Sequence, residues 1–383
     1  MKHGSRLRKR LVAPVLQGRV LEAWIQRKLG KLERAYTLAL TEASRGKASP
    51  ETPRPVVKAA PLRRLLFISD VMWEGRELTP ELAKICTVQT LNLHPILESA
   101  GSGGKPAAVV AGAIESHIRD NKDYEPDAVF FYARASLLSE ESFHLLRKRW
   151  KCPLFGMNLD DKMEFLNYKI FAAGNDNYGH WAKRFDLNLS NVRAVVDLYA
   201  DRGLPVTYLP EGFHPKMSGP PSSVDHFKYE FSFVGSKRPE REIFFRRLRS
   251  MGVPIEPIGW GWPNSEGGKN PEATYRASQI CLGIGLAAPS QTLTTLKTRD
   301  FECPGAGACY LTTYNWELAL HYDLGREILC YRNEDEMAEL FSFYRRRPEA
   351  CLRIAQAAYR RCLAEHTWEK RFRKVFQQSG FNV

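Results

Sequence analysis

What this sequence lacks narrows it first. No apolar run approaches the ~20 residues a bilayer-spanning helix requires. The opening MKHGSRLRKR has the basic start of a signal peptide, but the apolar stretch after it breaks at Gln17 after six residues, too short for an h-region. Eight cysteines, at 86, 152, 281, 303, 309, 330, 351 and 362, form no Cys-x-x-Cys pair and have no histidine at ligand spacing. No metal site is therefore expected, and they read as small apolar core residues of a reduced, cytoplasmic protein. There is no Gly-x-Gly-x-x-Gly run either, so a dinucleotide fingerprint is absent.

What is present is ordinary in bulk and uneven in charge. With 44% hydrophobic and 26% charged residues, the 383-residue chain can bury two cores of usual size and is not a disordered polymer. Its net charge of +13 sits at the ends: residues 1–64 carry +12 and 340–383 carry +7, which leaves −6 for the part between. A general nucleic-acid binder would not be divided this way, and no nucleic-acid module is recognisable, so nucleic acid is not an expected partner.

Residues 18–43 place Val20, Leu21, Trp24, Ile25, Leu29, Leu32, Tyr36, Leu38 and Leu40 at near-helical spacing, with Lys and Arg on the other face. Such a helix could pack on the protein, form a homodimer, or touch an anionic membrane face from the cytoplasmic side. Residues 44–60, with Pro50, Pro53 and Pro55, read as a linker, so 1–60 is a basic helical extension.

From there strand and helix patterns alternate. Apolar strands are expected at 65–70, 87–93, 128–132 and 153–158, with helices at 107–119 and 140–150, then strand, helix and strand between 184 and 210. Short strands that are apolar throughout belong to parallel sheets, whose ligands gather beyond the strand C-termini. Asp70 with Glu74, and His94, stand at such ends and are candidates for a general base; a cap for Asp70 and a hydrogen-bonded loop residue for His94 are the plainer alternatives. Asp160 and Asp161 follow the fourth strand. Being adjacent, they point apart on an extended chain and cannot readily chelate one ion.

The proline- and serine-rich 217–224 suggests a boundary, after which YEFSFVG (229–235) gives a strand and a glycine turn. Ser236, Lys237 and Arg241 then open an arginine-rich helix at 240–251, and a helix N-terminus flanked by cations suits an anion. The next strand, 254–258, runs into Gly259-Trp260-Gly261-Trp262, where one tryptophan could wall a binding site and a packed turn is the alternative. A helix at 273–278, in which Tyr275 could touch a base or ribose, and a strand at 280–286 lead to the densest stretch.

That stretch is LKTRDFECPGAGACYLTT, 296–313. Lys297, Arg299, Asp300, Phe301 and Glu302 precede a small-residue turn, Gly305-Ala306-Gly307, and a strand from Cys309 to Leu311. Arginine forks and bare backbone N–H groups bind phosphate, and a neighbouring carboxylate accepts from sugar hydroxyls. The same spacing fits a helix with i,i+3 charge pairs ended by a glycine turn. Helices or strands are further expected at 316–322, 327–331, 334–345, 348–364 and 367–378.

The run Arg299, Phe301-Glu302, Tyr310-Leu311-Thr312, Glu317, Gly325-Arg326-Glu327-Ile328 and Tyr331 resembles the CgeB-like glycosyltransferases, related to the group 1 class. So do Leu209-Pro210-Glu211-Gly212-Phe213-His214-Pro215 and the ending His366-Thr367. The resemblance covers roughly 62–378 and implies an α/β GT-B fold: two Rossmann-like doubly wound domains facing a cleft, at 61–215 and 225–365, with 366–383 crossing back to the first. It implies a metal-independent transferase with no cofactor beyond a nucleotide-diphosphate-sugar co-substrate, and a glycan, protein or lipid-linked acceptor. The donor would meet Gly235, Ser236, Lys237, Arg241, Tyr275, Lys297, Arg299, Asp300, Phe301, Glu302, Gly305, Ala306 and Gly307. The family's aspartate pair falls on Asp160 and Asp161, as acceptor-side or base candidates. One departure stands out, since the wider class carries a second glutamate where this chain has Thr294. A degenerate, non-catalytic relative gripping an anionic polymer or membrane is the alternative, and a sugar-nucleotide epimerase a weaker one.

Overall fold

The computed structural model describes residues 56–70, 74–101, 105–132, 134–159, 178–200, 202–216, 219–286 and 294–383. The helical extension before residue 56, Asp160 and Asp161 lie outside them. The described chain forms two compact units, 56–210 with 371–383, and 211–286 with 294–370.

In the first unit, strands β2 (Arg64–Ser69), β3 (Thr87–Asn92), β4 (Ala128–Tyr132), β5 (Leu154–Asn158), β6 (Leu187–Ser190) and β7 (Val206–Tyr208) form one parallel sheet in the order β3-β2-β4-β5-β6-β7. Its central strands are buried along their length, as sequences apolar on both faces require. Consecutive phenylalanines point to opposite faces. Phe131 packs with Phe185 and the helices α3 (Pro106–Asp120) and α4 (Glu140–Arg149), whereas Phe130 turns to the other side. There the chain's last helix closes the sheet: Phe372 lies 5.6 Å from Phe130, and Phe376 lies 5.8 Å from Phe155. A short parallel pair, β1 (Ala60–Pro61) with β13 (Phe381–Asn382), secures that end.

The second unit repeats the plan. Strands β8 (Tyr229–Val234), β9 (Glu256–Ile258), β10 (Ser278–Leu282), β11 (Tyr310–Thr313) and β12 (Leu329–Tyr331) are parallel in the order β12-β11-β10-β8-β9. Helices α7 (Pro239–Ser250), α10 (Glu334–Arg345) and α11 (Pro348–Glu365) bury Phe231, Phe233, Phe245 and Leu311. Two local expectations shift. The strand anticipated at 280–286 starts at Ser278 and ends at Leu282; beyond it Gly283 passes against the Tyr310 and Thr312 side chains with no room for a Cβ. The helix anticipated at 316–322 is a 3-10 turn, Trp316–Leu320, tightened by Asn315 accepting from the Glu317 N–H.

Each sheet has one switch point. The chain leaves β2 for β3 on one side and returns to β4 on the other; it leaves β8 for β9 and returns to β10. In such sheets the crevice beyond the strand C-termini at that point is where ligands bind. No helix of the described residues is long and apolar enough to cross a membrane. Truncating Phe372 to Ala is expected to destabilise the first unit by about 3–5 kcal/mol, read from denaturant unfolding; an unchanged midpoint would remove the C-terminal helix from that unit's core.

Candidate functional site

At the second unit's switch point, β8 ends in Phe233-Val234 and Gly235 follows it. The Phe233 ring carries two guanidinium groups, Arg241 with its Cζ 5.1 Å and Arg299 with its Cζ 5.0 Å from the ring centroid. Arg241 donates from Nη1 to the Ser236 carbonyl at 2.7 Å and to its hydroxyl at 3.3 Å. Burial, then the like charges of Arg299 and Arg238, pull its pKa down to about 10. Arg299 makes no hydrogen bond within the described residues, and its Nε is buried without a partner. Burial opposes its charge, but Tyr275, Tyr310, Glu302 and Asp300 around it more than offset this and hold it ionised. Gly235 makes the room: a Cβ there would lie 2.9 Å from Arg299 Nη2. Lys237, next along the loop, pairs with Glu242 at 2.8 Å, a solvated contact that is easily exchanged for a stronger anion.

Arg299, Asp300, Phe301 and Glu302 all lie on α9 (Arg299–Gly305), so the charged run is a helix rather than an open loop. Their directions differ by the helical turn. Asp300 points inward: one oxygen accepts from the Lys297 N–H at 2.8 Å, the other from the Tyr310 hydroxyl at 3.0 Å and the Thr312 hydroxyl at 3.4 Å. Burial raises its pKa, against the pull of these bonds. Pro304 brings no N–H to the Asp300 carbonyl, and the Tyr322 hydroxyl fills that place at 2.8 Å. Phe301 is wholly buried against Tyr322, His321 and His366. Glu302, one turn on from Arg299 and half-buried, acts electrostatically on both Arg299 and Tyr275. Lys297 is half-buried at the helix entrance.

The glycines of the turn serve packing. A Cβ on Gly305 would meet the Phe213 ring at 2.6 Å, and Gly307, at φ +80°, lies against Pro220. Ala306 is buried beside them. Tyr275 is buried too, and burial together with the Glu302 charge raises its hydroxyl well above the usual tyrosine range. Of the residues expected to meet a ligand, the fold thus gathers Gly235, Ser236, Lys237, Arg241, Arg299 and Glu302 about one loop, and puts Asp300, Phe301, Tyr275, Gly305, Ala306 and Gly307 behind it as support. Phe233, the platform, was not foreseen. Its only signal was an aromatic two residues before the glycine.

The first unit's switch point holds the other candidates. Asp70 follows β2 and Arg134 follows β4, with Arg134 Nε donating to Asp70 Oδ2 at 2.7 Å. Whether Asp70 also caps the next helix lies outside the described residues; its Oδ1 is buried and has no hydrogen-bond partner among the described residues. Burial raises its pKa from the ordinary aspartate value, with Arg134 opposing. His94 follows β3, beside β2, its N–H bonded to Asn92 Oδ1 at 3.0 Å and its Nε2 3.3 Å from a Glu98 oxygen. Arg134 had no motif to mark it.

Residues 238–377 match the family model described as glycosyl transferase-like. Among solved structures the chain is similar in fold to the sucrose-phosphate synthase of Thermosynechococcus elongatus, at a TM-score of 0.53 and 11% identity, over 82% of this chain and 98% of that one. It is similar to Anabaena HepE in complex with UDP and glucose, at 0.54 and 12%, again over 82% and 98%. TarM of S. aureus gives 0.51 and 10%, over 71% of this chain and 58% of that one. No curated protein matches the sequence. The fold is GT-B.

Gly305→Ala is expected to cost about 1–3 kcal/mol by pushing on Phe213, measured by thermal unfolding; no loss would mean the helix end can shift freely. For Asp70 the sign follows from its raised pKa. The folded carboxyl keeps its proton to higher pH than the unfolded one, so wild type loses stability as pH rises from the ordinary carboxylate range through the raised value. Asp70→Asn cannot ionise. The stability difference between the two should therefore move in the variant's favour with rising pH and then level off, in urea midpoints from about pH 4 to about pH 8; parallel curves would contradict it.

Proposed function

We propose that the chain is a glycosyltransferase that uses a nucleotide-diphosphate sugar and needs no metal ion. The observation that carries this is the pair of guanidinium groups on Phe233 at the switch point of the sheet, one of them without a hydrogen bond among the described residues, both arginines falling in the stretch that matches the glycosyl transferase-like model. Two like charges held together, partly out of water, are costly until an anion joins them. A diphosphate supplies that anion.

In the reaction, the bond from the sugar's anomeric carbon to the diphosphate oxygen breaks, and its electron pair leaves with the diphosphate. A bond forms from the acceptor oxygen to the same carbon, and the acceptor's proton passes to a base. Arg299, Arg241 and Lys237, fixed before the reaction, stabilise the charge growing on the leaving group, the role a metal fills elsewhere. Glu302 and Lys297 are the candidates for ribose or sugar hydroxyls. Asp300 positions Arg299 and Glu302 by anchoring their helix. Asp70, whose pKa burial raises and whose Oδ1 has no partner among the described residues, is the leading base, with His94, Asp160 and Asp161 as the other candidates. The acceptor is a hydroxyl-bearing glycan, protein or lipid-linked molecule. CgeB-like glycosyltransferases remain the subtype its motifs resemble.

A thermal-shift panel of nucleoside diphosphates and their sugars tests the reading. At 100 times its dissociation constant the right nucleotide should add about 2.7 kcal/mol of stability to wild type, with EDTA as with Mg²⁺. Arg299→Gln should lose the response and Glu302→Ala should weaken it for the sugar conjugate. A response that needs Mg²⁺ sinks the metal independence. No response at millimolar concentration sinks the donor site, and leaves a degenerate protein binding an anionic polymer.

A further inference from the structure

The turn after β9 contains two tryptophans with opposite fates. Trp262 is buried, 5.6 Å from Phe245, and its Nε1–H donates to the Gly235 carbonyl at 2.9 Å. Trp260 is 79% exposed, the most exposed large apolar side chain of the described residues. A scattered surface aromatic needs no explanation. The backbone that carries this one is tied down by hydrogen bonds. The Lys237 N–H donates to the Trp260 carbonyl at 2.8 Å, the Gly259 N–H to Asn264 at 2.9 Å, and the Trp262 N–H to Gly259 at 3.1 Å. Gly259 and Gly261, at φ +124° and +81°, set the backbone on either side of it, and a Cβ on either would lie 2.9 Å from the Gly235 carbonyl oxygen and the Lys237 Cβ respectively. The turn is built directly onto the loop that carries Lys237, and displays an indole at the same edge of the sheet as the guanidinium pair.

We infer that Trp260 is the stacking platform for the heteroaromatic base of the nucleotide whose diphosphate occupies the Gly235–Lys237 loop. The inference rests on the nucleotide-diphosphate reading given above. Cations hold the phosphates but offer a flat, mostly uncharged base nothing; a ring face does, through dispersion and its quadrupole, whichever base it is. Tyr275, the ring foreseen for that part, is only 3% exposed and has no face to give. Phe343, the other exposed ring, is already covered by Arg347, whose Cζ stands 3.8 Å from its centroid, and it lies on α10. Trp260 alone is an uncovered ring fixed beside the cations among the described residues. Since stacking is tolerant of base identity, it supplies affinity, and edge contacts supply any choice of base.

The test uses the whole protein with UDP, GDP and inorganic pyrophosphate, followed by indole fluorescence and titration calorimetry. Both nucleotides should quench wild-type emission and pyrophosphate should not. Trp260→Ala should weaken UDP and GDP by about tenfold, leave pyrophosphate unchanged, and keep the wild-type melting temperature because the side chain is exposed. Trp260→Phe should restore most of the affinity without the quench. Nucleotide affinities equal to wild type in Trp260→Ala, or pyrophosphate weakened by the same factor, overturn the platform. If pyrophosphate binds wild type and the nucleotides bind no more tightly, the anion loop stands and the platform falls. If none of the three binds wild type, the nucleotide reading falls and takes the platform with it.

Discussion

The buried carboxylate of Asp300 is the constraint on which the second unit's chemistry depends. A carboxylate out of water is expensive unless its oxygens are bonded. Here they accept from the Lys297 N–H and from the Tyr310 and Thr312 hydroxyls, while the residue's own carbonyl accepts from Tyr322. These bonds fix both the angle and the rotation of α9 against β11. With the rotation fixed, Arg299 must meet Phe233, and Glu302, a turn further, must stand near Arg299. One inward-facing acid thus decides the direction of two outward-facing charges.

The consequence is stored electrostatics. Arg241 and Arg299 share the ring of Phe233, and burial first, then the charge of Arg299, lowers the pKa of Arg241. Arg241 is partly compensated by the Ser236 carbonyl; Arg299 has no hydrogen bond among the described residues to compensate it. Such an arrangement is relieved by an anion that bonds both guanidinium groups.

The first unit uses the same topology with a different set of charges. Its switch point holds an ion pair, the buried Asp70 with the exposed Arg134, where the second holds two guanidinium groups. Both sites arise because parallel strands that diverge in connection leave a crevice that loops do not fill. The fold supplies two such crevices, and the residues at the strand ends set their chemistry.

Much of this was legible beforehand. Continuous apolar runs such as 128–132 are strands because only a parallel sheet covers both faces, and the helix expected at 140–150 forms at 140–149, where the structure shows Ser139 capping it and Phe143 and Leu146 buried. Gly235 and Arg299 could be picked out by type. Their roles could not be separated from those of their neighbours. Sequence spacing put Arg299, Asp300, Phe301 and Glu302 in one charged cluster, Tyr275 in reach of a ligand, and Trp260 on equal terms with Trp262. The tertiary structure alone sent Asp300 and Phe301 inward, closed Tyr275 into the core, buried Trp262 and left Trp260 out, and paired Asp70 with an arginine 64 positions away. The reason is physical: periodicity is a property of a few consecutive residues, whereas the face of an element that becomes a site is set by the distant elements packed on its other side.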